Sequence, residues 1–154
     1  MDTTPTLNAH NKEEYAPAHT AEHLLNQLMV RMFGCKRSRD THIERKKSKI
    51  NYTLDTEPTP GQIQEIERQM NALIAQDLPV TYEFITRDTI PQGVRLDKLP
   101  RDASETLRIV RIGDFDVCPC IGLHVQSTGG IGFFRITSTS YRDGSFRIVY
   151  KVRV

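Results

Sequence analysis

The sequence predicts an α+β domain in which a mostly antiparallel sheet packs against helices on one side. Three observations support this prediction. Two stretches place apolar residues at helical spacing, and several short runs alternate between apolar and polar residues. A third is the C-terminal region, where two alternating runs flank a strong turn signal. The chain has 154 residues, the size of one domain with a sizeable core.

The composition is that of an ordinary soluble globular protein, with 38% hydrophobic and 26% charged residues. No stretch approaches the roughly 20 apolar residues that span a bilayer, so no membrane partner is predicted. The N-terminal residues lack the basic and apolar regions of a signal peptide. Three cysteines are too few for a disulfide framework. We therefore predict a cytoplasmic protein.

The first helix is predicted from residue 18 to residue 33, a stretch without helix breakers. Gly34 lies just beyond its end, where a helix C-cap belongs. The polar, aperiodic residues before the helix predict a flexible tail over 1–17, followed by a single domain over 18–154. The apolar stripe of the helix consists of Leu24, Leu25, Leu28, Met29 and Met32.

A basic segment follows the helix, with seven basic and two acidic residues between Lys36 and Lys49. We predict that it is a connection leading into a strand over 50–55. Such a cluster can neutralise phosphates of a nucleic acid, and a solvated loop is the alternative interpretation. The candidate nucleic acid contacts are Lys36, Arg37, Arg39, Arg45, Lys46, Lys47 and Lys49.

The middle of the chain begins with a second helix, because Thr59 to Gln62 reads as a capping box with proline at the first helical position. We predict that this helix ends near Gln76. The next predicted elements are a strand over 80–86, a loop over 88–105, a strand over 107–112 and a turn at 113–114.

The clearest local prediction is a C-terminal hairpin. Strands over 131–141 and 145–154 flank Asp143 and Gly144, a favoured pair for a two-residue turn. Alternation in the second strand predicts one apolar face and one basic face. The apolar face carries Phe146, Ile148, Tyr150, Val152 and Val154, and the other carries Arg147, Val149, Lys151 and Arg153.

Two pairs of potential metal ligands each have a spacing of four residues. His19 and His23 would lie one above the other on one face of the first helix. Cys120 and His124 form the second pair, in a stretch whose proline and glycine predict a tight turn. We call these four residues the metal centre.

Thiolate combined with imidazole favours zinc over calcium or magnesium. The sequence therefore predicts one zinc ion at the metal centre. Cys118 is the alternative thiolate, although its spacing of six from His124 fits less well. Four protein ligands would close a tetrahedral zinc, and closed sites are usually structural. Either one ligand is loose and water shares the ion, or the ion mainly positions a substrate.

The segments around both pairs resemble the editing domain shared by alanyl- and threonyl-tRNA synthetases, including the free-standing AlaX editing proteins. That family has an HTAxHLL-type segment and a PCGGTHV-type segment. This chain has HTAEHLL from His19 to Leu25 and DVCPCIGLHV from Asp116 to Val125. The resemblance covers roughly residues 18–153. It departs at Leu123, where the alanyl type has Thr, and at Cys118, where Gln is common.

The resemblance implies a zinc-dependent hydrolase that cleaves the ester bond between a wrong amino acid and the 3′ end of tRNA. It implies that the two His of the first segment and the Cys and His of the second hold the zinc. Thr20 is a candidate contact for the hydroxyl or amino group of the substrate, or for a nucleophilic water. Glu22 is a candidate general base, with a solvated helix residue as the alternative. Asp116 either orients a ligand histidine or only begins a turn.

Two other functions fit parts of the sequence. His19 to His23 also matches the H-x-x-E-H signature of inverted zinc peptidases, in which the Glu is catalytic. Those enzymes complete the site with a carboxylate, and they are usually much longer. The other possibility is a zinc-stabilised RNA-binding domain that has kept the fold without the chemistry.

Overall fold

The computed structural model describes residues 15–86 and 106–153. The predicted loop over 88–105, the first 14 residues of the predicted tail, and Val154 lie outside the described residues. In chain order the elements are α1 (Ala16–Phe33), β1 (Asp40–His42), β2 (Ser48–Thr53), α2 (Pro60–Ala75), β3 (Val80–Thr86), β4 (Thr106–Ile112), β5 (Asp116–Pro119), a 3₁₀ turn (Thr128–Ile131), β6 (Phe133–Arg142) and β7 (Ser145–Arg153).

The strands confirm the predicted α+β class, but they form two antiparallel sheets rather than one. The larger sheet has the order β1-β2-β7-β6, and the smaller has the order β3-β4-β5. Antiparallel pairing fits the short connections, such as the turn between β4 and β5. The strands β1 and β5 were not predicted as strands, because three or four residues are too few to show an alternating pattern.

Helix α1 is buried nearly all round over its first half. Every side chain from Ala18 to Asn26 is buried, because this half packs against β5, β7 and the 3₁₀ turn. The hydroxyl of Tyr150 in β7 donates a hydrogen bond of 3.0 Å to the carbonyl of Ala18. This contact fixes the N-terminal end of α1 on the larger sheet.

The ends of α1 differ in how well the sequence predicted them. Gly34 is the C-cap, with φ at +67°, and its N–H donates to the carbonyl of Val30 at 2.9 Å. The helix begins at Ala16, two residues earlier than predicted, so the last residues of the predicted tail belong to the domain. Neither helix in the described ranges is long and apolar enough to cross a membrane.

Helix α2 begins with the predicted capping box. The N–H of Gln62 donates to Thr59 Oγ1 at 3.1 Å, and the N–H of Thr59 donates to Gln62 Oε1 at 2.8 Å. The helix ends at Ala75, one residue before the predicted end. Its buried face consists of Ile66, Met70, Leu73 and Ile74, which join the core with α1 and the larger sheet.

The C-terminal hairpin is confirmed. Asp143 and Gly144 both have positive φ, at 51° and 80°, as a type I′ turn requires. On the apolar face of β7, Phe146, Ile148 and Tyr150 are buried and Val152 is half-buried. The basic residues of the other face are exposed, as predicted. Strand β6 begins at Phe133 instead of residue 131, because Thr128–Ile131 form the 3₁₀ turn.

Candidate metal centre

The four residues of the metal centre converge, although their two pairs are about a hundred residues apart in the chain. Their ligand atoms all lie within 4.8 Å of one another. Sγ of Cys120 lies 3.4 Å from Nε2 of His19. Two ligands of the same tetrahedral zinc ion are separated by about 3.5 Å, given its usual bond lengths. The donor positions therefore fit a single zinc ion.

Each imidazole has a contact on its Nδ1 side that leaves Nε2 for a metal. Nδ1 of His19 lies 2.9 Å from the carbonyl oxygen of Leu123. Nδ1 of His124 lies 3.0 Å from Oγ1 of Thr20. Nδ1 of His23 faces Oδ2 of Asp116 at 3.6 Å. The contacts of His19 and His124 are hydrogen bonds, which fix the ring orientation and the tautomer of metal-binding histidines. The contact of His23 has the distance of an ion pair.

One observation within the structure points to a missing partner. Nε2 of His124 is buried and makes no hydrogen bond to any residue in the described ranges. A buried polar atom without a partner is costly, and a metal ion would satisfy it. The three imidazoles and one thiol are also a donor set that zinc prefers.

The electrostatics of the metal centre favour a thiolate. Burial of Cys120 opposes its ionisation, but His23 and the other two imidazoles outweigh burial and hold its pKa well below the usual value. The N–H of Gly122 also points at the sulfur, at 3.4 Å. Burial lowers the pKa of His124 to about 4, so this ring is neutral at pH 7. A thiolate and a neutral imidazole are the forms that bind a metal.

Hydrogen bonds join helix α1 to the loop after β5 beside the metal centre. The loop residue Leu123 accepts a hydrogen bond from His19 of the helix. In return, Thr20 of the helix contacts His124 and accepts the N–H of Val125 at 3.1 Å. Thr20 has no exposed surface, and its hydroxyl contacts the ring of His124, which it orients. A contact of Thr20 with substrate or water stays a prediction.

Glu22 does not have the position of a solvated helix residue. It is only 8% exposed, and its Oε1 lies 3.6 Å from Nε2 of His19. The alternative interpretation of Glu22 as solvated is therefore wrong. Its i, i+3 spacing from His19 on a helix places the carboxylate beside the metal centre.

Asp116 is part of a buried polar network and does more than begin a turn. Its carboxylate accepts hydrogen bonds from Arg37 at 2.6 and 3.2 Å and from Gln27 at 3.3 Å, in addition to facing His23. Burial alone would raise the pKa of Asp116, but His23 and Arg37 lower it below the usual value. Asp116 is thus a carboxylate that connects a metal ligand to Arg37.

The basic segment does not form one continuous surface. The side chain of Arg37 is only 14% exposed and is paired with Asp116, so this predicted nucleic acid contact has a structural position instead. The other six candidates are exposed. Lys36 and Arg39 follow the C-terminal end of α1, whereas Arg45 lies over the ring of Tyr15 at its N-terminal end, at 4.6 Å.

The loop between β1 and β2 therefore lies at the N-terminal end of α1, in whose first half His19 and His23 lie. Ser48, at the start of β2, pairs with Tyr150, and Tyr150 contacts Ala18 next to His19. Lys46 and Lys47 precede Ser48 in this loop and are exposed. Charge patterning predicted these residues as contacts, but only the fold places them at this end of α1.

Arg108 and Cys118 complete the description of the loop that carries Cys120. The guanidinium of Arg108 donates to the carbonyl oxygens of Cys120, at 2.7 Å, and Gly122, which holds the loop against β4. The sequence offered no signal for this role, since Arg108 reads as an ordinary polar residue of a strand. Cys118 is buried in β5 and lies outside the group of converging ligand atoms, so Cys120 is the thiol at the metal centre.

Comparison with known proteins gives a consistent result. Residues 107–149 match the family described as the second additional domain of threonyl and alanyl tRNA synthetases. Alanine–tRNA ligase of Halorubrum lacusprofundi is 31% identical over 152 residues, which cover 97% of this chain and 16% of that protein. Alanine–tRNA ligase of Idiomarina loihiensis is 29% identical over 133 residues, or 86% of this chain and 15% of that protein.

A third relative is the alanyl-tRNA editing protein AlaX-L of Pyrococcus horikoshii. It is 32% identical over 120 residues, which cover 77% of this chain and 28% of that protein. The chain therefore spans well under a third of the length of each of these relatives. The matched family range contains Cys120 and His124, the second pair of the metal centre.

Proposed function

Because the chain carries a second additional domain of the threonyl and alanyl tRNA synthetase type, we propose that it deacylates mischarged aminoacyl-tRNA at a zinc ion bound by the metal centre. The proposed reaction is hydrolysis of the ester bond between the amino acid and the terminal ribose, in the cytoplasm. The observation that carries the proposal is the convergence of three imidazoles and one thiol within 4.8 Å.

The residues of the chain divide into ligands and the groups that hold them. His19, His23, Cys120 and His124 would bind the ion. When bound, zinc supplies Lewis-acid polarisation of an ester carbonyl and activation of water. Thr20 and Asp116 hold two of the imidazoles in orientation through their Nδ1 atoms, which keeps the ligand geometry fixed.

Glu22 is the proposed general base. It is the carboxylate on α1, and its Oε1 lies 3.6 Å from Nε2 of His19, beside the position of a water molecule that would share the metal centre. A carboxylate in hydrogen-bond reach of the attacking water accelerates ester hydrolysis by roughly 10²- to 10⁴-fold. The loss of this group should therefore reduce turnover without removing the metal ligands.

The RNA would approach from the end of α1 that carries the metal centre. The exposed lysines of the loop between β1 and β2 lie at this end and provide charge for phosphate contacts. Lys36, Arg39 and Lys49 are also exposed and are candidates for separate phosphate contacts. Arg37 is not part of the proposed interface, because Asp116 neutralises its charge.

The peptidase interpretation fits less well. An H-x-x-E-H peptidase completes its site with a carboxylate, whereas Cys120 and His124 complete the group of ligand atoms here. The non-catalytic RNA-binding alternative shares the metal centre with the proposed enzyme. Only a measurement of ester hydrolysis separates these two.

The experiment uses purified protein of known zinc content. Seryl- and glycyl-tRNA specific for alanine and seryl-tRNA specific for threonine serve as substrates, and casein serves as the control. We expect hydrolysis of at least one ester, reduced by roughly 10²-fold or more in Glu22→Gln. Zinc binding without hydrolysis of any of these esters would contradict the proposal and favour the RNA-binding domain. Casein cleavage that is lost in Glu22→Ala would favour a peptidase.

A further inference from the structure

Three exposed apolar side chains lie on the strand and the loop next to the metal centre, Tyr82 and Phe84 on β3 and Leu123 beside His124. Tyr82 is 44% exposed, Phe84 is 37% exposed and Leu123 is 65% exposed. The fourth large exposed hydrophobic residue of the described ranges, Phe133, begins β6 in the other sheet. Isolated exposed apolar residues are common, but a group at the edge of a site indicates that something binds there.

The strand register explains why Tyr82 and Phe84 reach the surface. They lie two residues apart in β3 and therefore share a face of the smaller sheet. Val80 on the same face is buried, so this face runs from the core towards the surface. Phe84 pairs with Arg108 in β4, and β3 is an edge strand of its sheet among the described residues.

Arg108 fixes Tyr82 relative to the metal centre. Its guanidinium lies 4.7 Å from the centre of the Tyr82 ring and also donates to the carbonyls of the Cys120 loop. The ring of Tyr82 lies 6.5 Å from the ring of His124. Leu123 lies next to His124 in sequence, and its carbonyl holds His19. Tyr82 is thus a positioned aromatic ring at the edge of the site.

The chemistry of this group suits a nucleobase. Proteins bind unpaired RNA bases by stacking them on aromatic rings and arginine planes. In the proposed substrate, the reacting ester and the terminal base are attached to the same ribose. A substrate with its ester at the metal centre must therefore place its base beyond the ribose, a few ångström from the ligands. The ring of Tyr82 lies 6.5 Å from the ring of His124. Three side chains are also too small a surface for a stable protein partner, which covers roughly 800 Å² on each side.

We propose that Tyr82, supported by Arg108 and lying 6.5 Å from the ring of His124, binds the terminal base of the RNA by stacking. This inference rests on the proposed function, because it takes the occupant of the metal centre to be an ester of a terminal nucleoside. Phe84 extends the exposed apolar face along β3.

The test measures binding of two RNA hairpins that differ only in the presence of the last nucleotide of a single-stranded 3′ overhang. We expect the complete RNA to bind the full chain roughly tenfold more tightly or better, since stacking of one base supplies about this much. Tyr82→Ala should abolish the difference, whereas Tyr82→Phe should keep it. Phe133→Ala, an equally drastic change at an exposed aromatic residue of the other sheet, should also keep it.

A preference for the complete RNA that persists in Tyr82→Ala would overturn the inference. So would a change of oligomeric state in Tyr82→Ala, seen by sedimentation, without a change in RNA preference. Hydrolysis of seryl-tRNA is measured in parallel to separate this inference from the proposed function. Loss of the RNA preference in Tyr82→Ala supports the stacking site even if no ester is hydrolysed. The absence of ester hydrolysis would contradict only the proposed function.

Discussion

The three histidines of the metal centre owe their orientation to three different kinds of group. A backbone carbonyl holds His19, a threonine hydroxyl holds His124, and a buried carboxylate faces His23. Each contact involves Nδ1 and leaves Nε2 towards the other ligands. The metal centre therefore depends on Thr20 and Asp116, which contact the Nδ1 atoms of His124 and His23, as well as on the four ligands.

Replacement of Asp116 tests this arrangement. Asp116→Asn keeps the shape of the side chain but removes the charge that faces His23, so we expect zinc affinity to fall by roughly 10- to 100-fold. Competition with a chelator measures the affinity, and circular dichroism checks the fold. Asp114→Asn, an exposed change in the turn just before β5, is the matched control. Equal zinc affinity of the two variants would contradict the role of Asp116.

The identity of the thiolate ligand has its own test. Cobalt(II) substituted for zinc gives an absorption band when it is bound by a thiolate. We expect this band to disappear in Cys120→Ser, because the sulfur of Cys120 lies among the imidazoles. Cys118→Ser should keep the band, since Cys118 is buried in β5 outside the group. The reverse pattern would make Cys118 the ligand.

At the scale of elements, α1 is the helix on which the site depends. It carries half of the ligands, and its first half is buried between the smaller sheet, the larger sheet and the 3₁₀ turn. Its C-terminal end depends on Gly34, which has φ at +67°. A side chain at this position has free space around it, so only the backbone conformation opposes a substitution.

Gly34→Ala should therefore lower the free energy of unfolding by roughly 1 kcal/mol, the cost of a non-glycine residue in the left-handed region. Gly61→Ala is the control, because Gly61 lies in the first turn of α2 without a positive φ, and its nearest neighbour is 3.9 Å away. This control should be neutral or slightly stabilising. Urea unfolding measures both. Equal stability of the two variants would exclude a specific role for the Gly34 cap.

The sequence predicted the elements whose signals are local. The capping box at Thr59, the cap at Gly34 and the turn at Asp143 and Gly144 each depend on a few adjacent residues, and all three are present. Strand β1 has only three residues, too few to show an alternating pattern. The division into two sheets depends on pairing between distant segments, which no local pattern contains. The pair of Arg37 and Asp116 was missed for the same reason, because 79 residues separate them in the chain.

The site divides in the same way. Spacing and resemblance predicted the four ligands, because two short segments contain them. The burial of Glu22 follows from sheets packing on both sides of α1, which a helical pattern does not reveal. Arg108 supports the ligand loop from a strand that reads as ordinary alternation. The fold, not the sequence, therefore identifies the residues that support the ligands.

At the scale of the whole molecule, the fold brings a basic loop and the metal centre to the same end of α1. Strand β2 leads from this loop, next to Tyr150, to the turn at Asp143 at its other end. The charge of Lys46 or Lys47 in this loop can therefore be changed without changing the charge of Arg142 at the other end of the strand. A comparison of such variants tests whether the loop binds RNA.

Charge reversal at Lys46 or Lys47 should weaken tRNA binding and reduce the slope of log affinity against log salt by about 1 for each phosphate that is no longer neutralised. Arg142→Glu, at the opposite end of β2, makes the same change of charge and should have a smaller effect. Filter binding at several salt concentrations measures the slopes. Affinities that fall equally in both variants would indicate a nonspecific effect of net charge and remove the loop from the interface.

We propose that the metal centre holds one zinc ion and that ester hydrolysis needs this ion. The most direct measurement is the rate of seryl-tRNA deacylation by protein stripped of metal, as zinc is added back in known amounts. We expect negligible activity without zinc and recovery that is complete at one equivalent per chain. Deacylation that continues unchanged after the zinc has been removed would contradict this proposal.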